Sequence, residues 1–262
     1  MEPIRLEKRN VAILVLSQTL FMVASITVMT LSGVVGQQLS PEPGLATLPI
    51  AMMMLGTVVS TLPASLYMKR VGRRRGFITG ASLGGVVGGV LSFTAIGLGS
   101  FWLFCAGNLL LGLYQGFAMY YRFAAADVAS AAFRSRAISF VMAGGVAAAF
   151  LGPWNANAAS GLIPDVPSGG PYLVIAILAL VACGLLTQLR VPPSGEPQPG
   201  ETTRPMVAIA SQPSFRVAVL AGAVGYAIMV LVMTATPLAM RARGFDMSQV
   251  AFIMQWHVLG MF

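Results

Sequence analysis

Seven stretches of this chain run for about twenty residues or more with almost no charge, and short polar loops separate them. They cover residues 10–36, 47–68, 77–97, 101–125, 137–162, 171–189 and 214–240, and an eighth begins near Ser248. Length decides what they are. A helix needs roughly 20 apolar residues to cross a bilayer core, whereas a strand of a membrane barrel would show alternating segments of about ten. The pattern predicts an all-α, polytopic integral membrane bundle with one spanning helix per stretch. Composition agrees, because 56% hydrophobic and 9% charged residues give more apolar surface than a soluble interior of this size can hold.

Charge then orients the spans. Of the 16 Lys and Arg residues, 13 fall on alternate loops: Arg5, Lys8 and Arg9; Lys69 to Arg75; Arg134 and Arg136; and Arg190, Arg204 and Arg216. Basic residues stay on the cytoplasmic side, so the N-terminus is expected in the cytoplasm of a multi-pass plasma-membrane protein. The net charge of +8 is on this reading a signal of topology, with the lipid bilayer rather than nucleic acid as its partner. The first span is too long for the apolar part of a cleaved signal peptide. Cys105 and Cys183 fall inside spans, where a thiol acts as a small buried hydrophobe, and the sequence suggests neither a metal site nor a cofactor.

Residues 1–190 hold six spans and form the first expected unit. Residues 191–213, rich in Pro and Gly, read as a cytoplasmic linker, and residues 214–262 look like a restart. Val28-Met29-Thr30 and Leu55-Gly56 recur as Val232-Met233-Thr234 and Leu259-Gly260 at one common offset, as a parallel repeat would place them. Because the eighth stretch is still running at Phe262, four further helices are expected after it, and no transport is expected from the 262-residue form alone.

The loop between the second and third spans reads Ser65-Leu66-Tyr67-Met68-Lys69-Arg70-Val71-Gly72-Arg73-Arg74. Its basic-x-Gly-basic-basic core resembles the signature of the major facilitator superfamily, with Ser65 in place of the first Gly and Lys69 in place of the acid. The resemblance implies two six-helix halves, a secondary transporter that moves a small solute by alternating access, and a gate at Ser65, Lys69, Arg70, Gly72, Arg73 and Arg74. Independently of the family, Gly72 allows a tight turn and the Arg cluster can hold lipid phosphates or helix C-termini. A second family signature, in the fourth span, is met only by Gln115-Gly116. A third, in the fifth, is met only by Gly152-Pro153, where the helix is expected to flex.

Polar residues inside spans are costly and face a bundle interior or a wet cavity. Gln18, Ser25 and Ser32 recur at sevens in the first span, as do Asn108, Gln115 and Arg122 in the fourth, so each set forms one stripe. In the family that the chain resembles, these two helices line the central cavity. The expected path is therefore Gln18, Ser25, Asn108, Gln115, Tyr121, Arg122, Asn155 and His257, with interhelical packing as the competing role for the uncharged residues. Arg122 needs a partner, either Asp127 or a helix C-terminus, or else an anionic solute. His257 suits proton coupling, or a packed core position. Gly80, Gly84 and Gly88, with Gly85 and Gly89, repeat the small-xxx-small spacing of close helix packing. No catalytic motif, paired intramembrane carboxylates or pore ring is present in the sequence, which leaves a non-transporting scaffold or a transporter remnant as the alternative to a transporter.

Overall fold

The computed structural model describes residues 2–166, 168–191 and 205–261. Most of the expected linker, residues 192–204, lies outside these, as does Phe262. Regular structure among the described residues is helical: α1 (Glu2–Leu39), α2 (Leu48–Val71), α3 (Arg73–Thr79), α4 (Val87–Gly97), α5 (Phe101–Ala118), α6 (Tyr121–Val128), α7 (Arg134–Ala158), α8 (Gly170–Leu186), α9 (Met206–Ala210), α10 (Pro213–Ala242) and α11 (Met247–Leu259). Six helical segments are long and apolar enough to cross a membrane, and Gly170–Leu186 is a shorter apolar helix. The all-α, polytopic membrane bundle read from the sequence is the observed architecture.

The spans are less simple than the hydropathy pattern suggested. α1 begins at Glu2, so at 1.5 Å per residue its 38 residues reach roughly 57 Å and overshoot an apolar core of about 30 Å. α3 and α4 are one span joined by a π-helical stretch, Gly80–Val86. α5 and α6 are also one span, interrupted at Met119 and Tyr120. Between α2 and α3, Gly72 has φ of +88° and its N–H bonds to Met68 O at 2.9 Å. That left-handed position is where a residue with a Cβ would be strained, so the expected tight turn is present.

Small residues set the helix spacing. A Cβ on Gly84 would meet the backbone of α5 at Tyr114, while one on Gly89 would stand 2.9 Å from Ala176 N of α8. The third span thus turns one glycine face to each neighbour. Gly56 and Gly112 do the same between α2 and α5, each against the other helix's carbonyls. Large apolar side chains such as Leu62, Trp102 and Trp154 remain exposed on the outer faces, as lipid-facing positions should.

One end of the bundle is tied by polar contacts. Asn10 Nδ2 donates to Arg190 O at 2.7 Å and Arg190 N donates to Asn10 Oδ1 at 3.2 Å. Glu7 Oε1 accepts from Ser130 N at 2.6 Å and from its hydroxyl at 2.9 Å. These contacts fasten the start of α1 to the end of α8 and to the loop before α7.

Candidate functional site

A cavity of about 1230 Å³ lies among α1, α2, the α5–α6 span, α7, α10 and α11. Most of its wall is apolar and adaptable. Eight methionines contribute, among them Met22 and Met29 of α1, Met54 of α2 and Met233 of α10, together with Phe21 and Tyr226. The unbranched thioether moulds to irregular or aromatic shapes.

Polar groups on the wall fall into two sets. The hydroxyls of α2 are already committed: Thr57 Oγ1 donates to Met53 O at 3.0 Å and approaches Gly112 O at 3.2 Å, and Thr61 Oγ1 donates to Thr57 O at 2.6 Å. The second set is free to meet a solute. Gln18, Ser25, Gln115 and Arg122 all line the cavity. Gln115 Oε1 and, from α10, Thr234 Oγ1 are buried with no hydrogen-bond partner among the described residues. Leaving such groups unpaired costs about 1–3 kcal/mol each.

The remaining expected path residues lie elsewhere. Asn108 is fully buried in a contact between helices: Tyr172 bonds Ser32 Oγ at 2.7 Å, Ser32 donates to Asn108 Oδ1 at 2.9 Å, and Asn108 Nδ2 donates to Phe104 O at 2.9 Å. The polar stripe is continuous, but α1 and α8 close over its outer end. Tyr121 is also fully buried, with its ring edge-on to Phe77 at 4.7 Å. Asn155 donates to Thr27 Oγ1 at 3.2 Å and to Pro171 O at 3.4 Å. His257 is half-buried beside the cavity residue Val258 but is not on the wall, and its Nε2 has no partner among the described residues.

Gly152 and Pro153 sit where α7 packs on α1, and Thr27 Oγ1 reaches Gly152 O at 3.0 Å as well as its own Val23 O at 2.8 Å. In this arrangement the expected flexing point is pinned by Thr27 and Asn155.

The gate loop holds one ion pair. Arg73 Nη2 stands 2.5 Å from Asp127 Oδ2, joining the third span to α6, while Lys69, Arg70 and Arg74 are exposed and Ser65 is half-buried. Asp127, one of the alternative partners expected for Arg122, is taken by Arg73 instead. Five residues along a helix turn a side chain about 140° away, so Asp127 faces α3 while Arg122 faces the cavity. The Arg122 guanidinium lies 4.9 Å from the centre of the Phe123 ring. Neither the Arg73 contact nor the Thr234 contribution was visible beforehand, since both depend on which helices become neighbours. Acid-basic complementarity between the two loops was the only available hint of the first.

Comparison with known proteins adds three findings. The family described as Major Facilitator Superfamily matches residues 14–262. The chain is 40% identical over 257 residues to the riboflavin transporter RfnT of Brucella anthropi, covering 97% of this chain and 64% of the relative. It is 26% identical over 273 residues to the uncharacterized MFS-type transporter YdeG of Bacillus subtilis, covering 98% of this chain and 63% of that relative. The chain thus spans a little under two-thirds of the length of these curated relatives.

Proposed function

This chain belongs to the major facilitator superfamily, and from that premise we propose that it serves a secondary transporter carrying a flavin, riboflavin itself or a close analogue, across the plasma membrane by alternating access. The observation that carries the reading is the cavity: a wide wall of methionine and aromatic side chains with a few unpaired polar groups. A flavin has a matching division of surface. Its fused ring is planar and mostly apolar, one edge carries an imide, and the sugar-alcohol chain is rich in hydroxyls. The similarity to RfnT supports the same solute class.

The proposed cycle uses the residues in place. The solute lies between α1 and the α5–α6 span, where α10 also contributes to the wall. The Arg73–Asp127 pair and the contacts of Glu7 and Asn10 hold the basic, cytoplasmic end in one of the two alternating arrangements. The Gly152-Pro153 pair gives α7 a place to flex once its contact with Thr27 breaks. Among the described residues no Asp or Glu lines the cavity and His257 stands off its wall, so the reading assigns proton coupling to none of them. Expression from the native gene in riboflavin-requiring bacteria that lack their own uptake system tests this. Growth on limiting riboflavin and uptake of labelled riboflavin are expected; membrane-inserted protein without either contradicts the reading.

A further inference from the structure

Among the described residues, Arg122 is the one charged side chain on the cavity wall, and it is exposed. No carboxylate of the described residues lies within ion-pair distance of it, since Asp127 is turned to Arg73. Its guanidinium instead stands 4.9 Å from the centre of the Phe123 ring. A guanidinium stays protonated at any working pH, so the wall carries a fixed positive charge and no anion of its own. The position of that charge is equally specific. Ser32 meets Asn108 and Glu7 meets Ser130, so α1 and the α5–α6 span run antiparallel. Gln18 and Arg122 therefore lie toward the basic end of the bundle, while Ser25 and Gln115 stand two turns further in. The cavity thus joins an apolar, methionine-rich chamber to a cationic end. A flavin with an uncharged sugar-alcohol chain leaves that charge unanswered; a phosphate monoester at the end of the same chain answers it, because a guanidinium pairs phosphate oxygens through two parallel N–H bonds.

We propose that Arg122 is an anion-pairing, specificity-determining residue of the cavity, and that the 5′-phosphate ester of riboflavin is a ligand, its ring against the methionine wall and its phosphate on the guanidinium. This rests on the flavin reading above and extends it to a phosphorylated member of the class.

The test uses protein expressed from the native gene, purified in nonionic detergent and phosphate-free buffer, with binding read from quenching of flavin fluorescence. Riboflavin 5′-phosphate is expected to bind about tenfold more tightly than riboflavin, the size of one hydrogen bond to a charged group. In Arg122→Gln the ratio of the two affinities should fall to one or below, whereas Arg122→Lys, which keeps the charge but not the planar fork, should retain part of it. A second measurement needs no variant to fold: modification of Arg122 by phenylglyoxal, followed by mass spectrometry, should be slowed more by the phosphate ester than by riboflavin. Equal or weaker binding of the ester by the unaltered protein, a preference that survives in Arg122→Gln, or equal protection by the two flavins overturns the role of Arg122 and leaves the flavin reading standing. Absence of saturable binding of either flavin overturns both.

Discussion

Asn108 and Gln115 stand two turns apart on one face of α5, yet only Gln115 meets the cavity. The difference lies in their neighbours: Ser32 and Tyr172 close on Asn108, while α1 and α10 leave room in front of Gln115. Removing the central hydroxyl with Ser32→Ala should cost about 1–3 kcal/mol, because it strands buried polar atoms of Asn108 and Tyr172. A lowered thermal midpoint in detergent with riboflavin affinity unchanged is the expected result, and a loss of affinity at full stability would place Ser32 on the path. Asp246 offers a second test. Its carboxyl, held below the ordinary carboxylate range by the Ser248 hydroxyl and the Gln249 N–H, caps α11. With the folded pKa lowered, the cap's contribution is full above the ordinary carboxylate range and is lost as pH falls through the folded value. Asp246→Asn keeps a capping side chain but cannot titrate. The thermal midpoint of the unaltered chain should therefore fall more steeply on acidification than that of the variant. At this scale the sequence distinguished polar from apolar positions well, but whether a polar side chain packs or binds depends on helices distant in the chain.

Helices were the most legible level. Twenty-residue apolar runs became spans, Gly72 became the turn, and the glycines of the third span became its two packing faces. What stayed hidden was departure from regular helix. Nothing in the run Gly80 to Val86 distinguishes a π-helical stretch from an ordinary turn, because small residues tolerate both. The break at Met119 and Tyr120 carries no Pro or Gly to announce it. Close packing gives a direct check: Gly112→Val would drive a Cβ into the Met53 carbonyl of α2, and overpacking costs about 1–3 kcal/mol or more. Reduced folded yield and a lower thermal midpoint are expected, and a neutral outcome would mean that α2 and α5 are not held at this spacing. The ion pair between α3 and α6 should matter less to stability. With Arg73 and Asp127 both partly exposed, a double-mutant cycle of Arg73→Ala and Asp127→Asn should return about 1 kcal/mol or less. The larger expected effect is on access. Labelling of a cysteine placed at Met68, which is buried at the end of α2, should rise when either partner is removed, and unchanged labelling would deny the pair a role at the gate.

For the molecule as a whole, the proposed function depends on one cavity shared among α1, α2, the α5–α6 span, α7, α10 and α11, an arrangement no single stretch of sequence displays. Its walls are methionine-rich, and only the convergence of Met54 with the methionines of α1 and α10 makes them a wall. The most direct measurement is riboflavin binding by chains in which this space is filled. Ser25→Trp places a bulky ring in the cavity, while Leu62→Trp places the same ring on an outer face where Leu62 is 68% exposed. The account predicts that saturable binding is lost in Ser25→Trp and kept in Leu62→Trp, both at unchanged membrane insertion. Undiminished riboflavin binding by Ser25→Trp would contradict it.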